Sequence, residues 1–195
     1  LWKSDGTDAG TVPVLDVNPG SASSFPQNFL AVGKTLYFQA EDQVRGAELW
    51  KSDGTAEGTV PVADICPGQE GSFPEELAAI GKTVFFSADD GVHGVELWKS
   101  DGTAAGTVLV QDLRTGPEGS FAHGITGLGN SLFFVADDGI HGREPWTMVF
   151  PNEAPTNIGL SASATPENNA VGAVIGGLTT SDPNEGDIHS YLYLI

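Results

Sequence analysis

The sequence predicts an all-β chain: a partial β-propeller of four-stranded antiparallel blades, followed by the start of a second β-rich domain. Three observations predict it. The heptad "LWKSDGT" recurs unaltered at Leu1, Leu49 and Leu97, and residues 1–48, 49–96 and 97–144 overlay without a gap, with 21 of 48 positions identical in all three. Trp2, Trp50, Trp98 and Trp146, the only tryptophans, keep the same 48-residue spacing. No stretch of helical length carries apolar residues at i, i+3, i+4 and i+7 with caps at its ends. A sustained period of this size is the mark of a solenoid, propeller or array.

Within one period, residues 73–112 contain four β-leaning runs, "ELAAI", "TVFFSA", "VELWKS" and "TVLVQD", separated by glycine or Asp-Gly punctuation. Four strands of about six residues with turns of similar length account for the period. Both faces of such a sheet are apolar. Phe85 and Phe86 must point to opposite sides, as must Leu97 and Trp98. A sandwich sheet would leave one side polar, whereas a blade is covered on both. The tryptophan is therefore expected to fill the gap between adjacent blades, and Asp-Gly to make the turn after that strand. The lysine between them is expected to cover the strand with its alkyl stem.

Charge narrows the partners. Against 8 Lys plus Arg stand 26 Asp plus Glu, for a formal charge of -18. Such a surface repels nucleic acid and anionic membranes and attracts cations or basic partners. No apolar run is long enough to span a bilayer, so no membrane insertion is expected. Cys66 is the single cysteine, which excludes an internal disulfide; its equivalents are Asn18 and Arg114, so it is expected in a tolerant turn. All basic residues precede position 150, while the last 45 residues carry five acids and no Lys or Arg. The expected organisation is a repeat array over 1–150, a linker over 151–157 and a second domain over 158–195. The chain opens inside a repeat and reads as a piece of a longer protein.

The segment "GVELWKSDGTAAGTVLVQDL" resembles the bacterial ELWxxDGT repeat, a motif of arrays on large exported proteins that are understood to form propeller blades. The resemblance covers residues 1 to about 150. The last copy departs from it, reading "EPWTMVFPN" without Asp-Gly-Thr.

Two loop sets are candidate sites. Asp53, Thr55 and Glu57 alternate as in a calcium loop, but Ala9 and Ala105 stand where Glu57 does, which favours a plain turn. Asp89, Asp90, His93 and Glu96, repeated as Asp137, Asp138, His141 and Glu144, are candidate ligands at hairpin tips; Arg45 replaces the histidine in the first copy, which favours a hairpin with solvated acids. No nucleophile triad, catalytic carboxylate pair or phosphate loop stands outside the repeats, and Arg45, Arg114 and Arg143 are scattered over different turns.

After "PNEAPTN" the period stops. The runs "AVIGGL" and "SYLYLI" read as strands around the acidic turn "SDPNEGD". With "NEAP" and "PEN", this stretch resembles the opening of a bacterial cadherin-like β-sandwich, which would here be truncated. That resemblance implies calcium at domain junctions, held by Glu167 of the PEN element and by Asp182 and Asn184 of the acidic turn, joined by Asp187 and Glu153. The expected protein is a non-catalytic binding or adhesion module, extracellular or at the cell surface, with a protein or carbohydrate ligand and calcium as a structural ion. The alternatives are part of a propeller enzyme acting on glycans with its catalytic residues elsewhere, and a passive spacer.

Overall fold

The computed structural model describes residues 1–150, 157–160 and 178–181, and all of its regular structure is β. The chain divides into two compact units, Leu1–Val149 and Phe150–Ile195. In the first unit the strands are β1 (Trp2–Lys3), β2 (Val12–Pro13), β3 (Gln27–Val32), β4 (Thr35–Asp42), β5 (Gly46–Ser52), β6 (Val60–Pro61), β7 (Glu75–Ile80), β8 (Thr83–Asp89), β9 (Val95–Ser100), β10 (Val108–Gln111), β11 (His123–Leu128), β12 (Ser131–Asp137) and β13 (Arg143–Val149). They form antiparallel meanders in chain order: β1–β2, β3–β4–β5–β6, β7–β8–β9–β10 and β11–β12–β13. The four runs expected between residues 73 and 112 are β7 to β10.

Each full sheet straddles the sequence period. The heptad "LWKSDGT" is the third strand and the turn that follows it, so a sheet begins late in one repeat and ends early in the next. The first strand carries a recurrent bulge: register slips between Gln27 and Leu30, between Glu75 and Ala78, and between His123 and Thr126. Asn28, Glu76 and Gly124 take positive φ there (57°, 58° and 63°), the left-handed backbone that an inserted residue adopts.

Strand alternation sets the packing between sheets. Phe38, Ala40 and Trp50, on one face of the β3–β6 sheet, meet Val17 and Leu15 from the segment after β2. The opposite face supplies Tyr37, Leu49, Val62 and Ile65, which meet Val84, Phe86, Ala88 and Trp98 of the next sheet. Leu49, Val84 and Phe86 are wholly buried, and so is Phe85 on the reverse face. The first strands lie side by side, β3 against β7 and β7 against β11. At Gly127 a Cβ would come within 2.7 Å of the Ala79 carbonyl oxygen, so only glycine allows that approach of β11 to β7.

The indoles follow this plan with one exception. Trp50 and Trp98 are buried between sheets, at 5% and 9% exposure. Trp146 is half-buried in a cleft of about 220 Å³ lined by Leu97, Val110, Leu113 and Phe134, the counterparts of residues around Trp98. Trp2 departs from the expectation and is 67% exposed, because no described sheet covers the face of β1 from which it projects. The buried Nε1 groups of Trp50 and Trp98 find no acceptor, so these rings contribute packing rather than hydrogen bonds.

In the second unit β14 (Asn157–Leu160) pairs antiparallel with β15 (Leu178–Ser181), Asn157 opposite Ser181 and Leu160 opposite Leu178. The run "AVIGGL" shares only Leu178 with β15, and "SYLYLI" lies outside the described residues.

Candidate functional site: turns, staples and hairpin tips

The Asp-Gly-Thr turn closes on itself. Thr55 donates both its N–H and its hydroxyl to Asp53 Oδ1, at 2.9 and 2.7 Å, and Gly58 N–H donates to Thr55 Oγ1 at 3.0 Å. Thr59 donates to the Thr55 carbonyl at 2.6 Å and lies 2.7 Å from Ser52 Oγ, which in turn accepts from Gly54 N–H. The same bonds recur around Asp5 and Asp101. The Thr55 hydroxyl, then its N–H, hold the Asp53 carboxyl below the usual carboxylate range, and Thr7 and Thr103 do the same for Asp5 and Asp101. Glu57 is exposed and makes none of these bonds. Asp53 and Thr55 thus form a hydrogen-bonded turn that leaves Glu57 out, with Asp53 Oδ1 already occupied.

The lysine of the heptad does more than cover a strand. Lys51 Nζ donates to the Gly102 carbonyl at 2.7 Å, and Lys3 Nζ to that of Gly54 at 3.2 Å. Each lysine therefore ties its own sheet to the Asp-Gly turn of the next one.

Glu96 was a candidate for the hairpin-tip set and is not part of it. It lies on β9 wholly buried, where it accepts from Arg114 N–H, Ser120 N–H and the Ser120 hydroxyl, the last at 2.5 Å. Glu48 does the same with Cys66 N–H and the Ser72 hydroxyl, at 3.0 and 2.6 Å. Each carboxylate points inward from its strand onto the serine 24 residues further on. Burial pushes both carboxyls above the usual range, and the bonds from Ser72 and Ser120 oppose that shift without cancelling it. Glu144, the third copy, is exposed.

The serines complete a weld. Ser72 N–H donates to the Ala47 carbonyl of β5, its hydroxyl binds Glu48, and its own carbonyl accepts from Asp89 N–H of β8. Ser120 joins β9 to β12 through Glu96, which accepts from both its N–H and its hydroxyl, and through Asp137 N–H, which donates to its carbonyl; the Val95 carbonyl accepts from Phe121 N–H. Phe73 and Phe121, which follow these serines, have positive φ (49° and 52°), as Phe25 has (41°).

At the hairpin tips the histidines pair with neighbouring acids. Asp90 Oδ1 accepts from the N–H groups of Val92 and His93 at 2.9 Å, and its Oδ2 lies 2.7 Å from His93 Nδ1. Asp138 and His141 repeat this at 2.7 Å. In the first copy Arg45 takes the histidine's place, with its guanidinium 2.6 Å from Asp42. The repeated group is thus an acid paired with a basic side chain three residues on. The Asp90 bond raises the His93 pKa, the Asp138 bond raises that of His141, and Asp138 is held far below the carboxylate range by the His141 N–H and ring. Asp89 and Asp137 accept instead from Gly91 and Gly139 N–H, and Arg114 reaches Asp137 at 3.3 Å. Among the described residues no group of three His, Cys, Asp or Glu could hold a metal ion. The sequence-predicted calcium ligands Glu153, Glu167, Asp182, Asn184 and Asp187 lie outside the described residues.

Cys66 is half-buried after β6, its N–H bonded to Glu48, and burial raises its thiol pKa. No helix among the described residues is long and apolar enough to cross a membrane. Comparison with family models and with curated proteins finds no match to this chain.

Proposed function

We propose that the chain is a non-catalytic binding or adhesion module of a secreted or cell-surface protein, in which the stacked sheets are β-propeller blades of the ELWxxDGT kind. One observation carries this reading. Of the repeated side chains able to do chemistry, Glu48 and Glu96, Asp5, Asp53 and Asp101, Lys3 and Lys51, and Ser72 and Ser120 are engaged in bonds that close turns or join one sheet to the next. The blade reading is supported by the line of first strands, β3 beside β7 beside β11, which is how inner strands gather about an axis. A scaffold built this way presents its variable loops to a ligand, protein or carbohydrate, while the surface acidity disfavours nucleic acid.

Residues 158–195 begin a cadherin-like sandwich in this reading, and calcium is its structural ion. Glu153, Glu167, Asp182, Asn184 and Asp187 offer hard oxygen donors, and extracellular sites of this type bind calcium at about 10⁻⁴–10⁻³ M. The test is thermal melting with calcium or chelator, with binding screened on glycan and protein arrays. A melting temperature that rises with millimolar calcium, and no longer does so in Asp182→Ala, supports the ion; identical melts in calcium and chelator remove it. A parent chain that binds nothing on the arrays removes the binding role.

A further inference from the structure

Phe25, Phe73 and Phe121 occupy the same position in three repeats and are 63%, 57% and 46% exposed. Each sits at a φ of 41–52°, which glycine adopts freely and a phenylalanine does not. Their backbone serves the fold: Phe73 N–H donates to the Ala47 carbonyl and Phe121 N–H to that of Val95. Exposed rings in a disfavoured conformation, three times over, have no such internal use.

They are not alone at this end of the sheets. The Phe73 bond to Ala47 sets it at the base of the β4–β5 hairpin, whose tip is Val44, 69% exposed. Val92 and Ile140 are the same tip in the next two sheets, at 64% and 82%. Charge is segregated as well. All five lysines lie at the opposite end, Lys34 and Lys82 in the turns after β3 and β7, the other three beside the Asp-Gly turns. At the phenylalanine end Arg45 and Arg114 are already paired with Asp42 and Asp137 and Arg143 is exposed, but Glu70, Glu75, Glu118 and Glu144 are exposed as well, so acids outnumber the unpaired arginine.

The geometry points to this end as a docking face for a basic protein segment with apolar side chains, the rings and aliphatic tips receiving the apolar groups and the free carboxylates the cations. It rests on the binding reading above and names the partner class. Opposite charge selects this occupant over an anionic glycan or an anionic membrane.

The probe is a labelled synthetic peptide alternating lysine with leucine and phenylalanine, titrated by fluorescence anisotropy against the intact chain. A second peptide has glutamate in place of lysine. The variant combines Phe25→Gly, Phe73→Gly and Phe121→Gly, which leaves net charge unchanged and suits the positive φ, so its melting temperature is expected to match or exceed the parent's. The expected result is binding of the lysine peptide alone, weakened about tenfold or more in the variant. Equal binding of both peptides, no binding, or equal affinity for parent and variant overturns the proposal. So does ring-dependent binding of a neutral polysaccharide or a zwitterionic vesicle instead of the peptide. A ligand found on the arrays that binds the glycine variant as tightly as the parent also removes this face, but leaves the binding role standing.

Discussion

The Ser72 hydroxyl donates to the buried Glu48 carboxylate at 2.6 Å, across 24 residues of chain, while Ser72's own carbonyl accepts from Asp89 of the following sheet. One serine thus holds three pieces of backbone in register. Ser72→Ala leaves a wholly buried carboxylate short of a donor, a loss of about 1–3 kcal/mol. Urea unfolding measures it. Ser24→Ala is the control, since among the described residues its hydroxyl bonds to no buried carboxylate.

Glu48 and Glu96 have folded-state pKa values raised above their free value of 4.5. The folded state therefore holds these protons more tightly than the unfolded state, and stability falls as pH rises from 4.5 through the raised values. Glu96→Gln removes that part of the pH dependence. Melting temperatures of parent and variant across this window check it, and parallel curves would contradict it.

The histidine pairs act at higher pH. Asp90 and Asp138 raise the His93 and His141 pKa values above 6.5, so the stabilisation is complete below 6.5 and is lost as pH rises through the raised values. NMR titration of the ring protons is expected to find both histidines above the free-imidazole value, and His93 lower in Asp90→Asn than in the parent. Arg45, which keeps its charge throughout, makes the first hairpin indifferent to this change.

Gly58 has no room for a methyl group, because a Cβ there would overlap the Asp53 carboxylate. Gly58→Ala is expected to break the Thr55 turn and destabilise by about 1–3 kcal/mol. A hydrogen-exchange experiment would find faster exchange at Thr55 and Gly58 than in the parent.

Much of the fold was legible because two signals coincide. Alternation in "TVFFSA" and "VELWKS" places apolar side chains on both faces, and glycine or Asp-Gly marks the turns, so the runs over residues 73–112 became β7 to β10. The bulge was not legible, since Asn28, Glu76 and Gly124 share no chemistry that announces a positive φ. Glu96 was misplaced for a related reason. It is three residues from His93 in sequence, but it is buried on β9 against Ser120, 24 residues away, while His93 stays at the hairpin tip with Asp90. The reach of Lys51 to Gly102 spans 51 residues and depends on how sheets stack, which no local pattern records.

The central claim is that the recurring indole seals sheet to sheet, and acrylamide quenching of single-tryptophan chains tests it most directly. In four variants, each keeping one tryptophan and replacing the other three with phenylalanine, Trp50 and Trp98 should emit at short wavelength and resist quenching. Trp146 should be intermediate and Trp2 freely quenched. Open access of quencher to Trp50 and Trp98, equal to that of Trp2, would contradict the account.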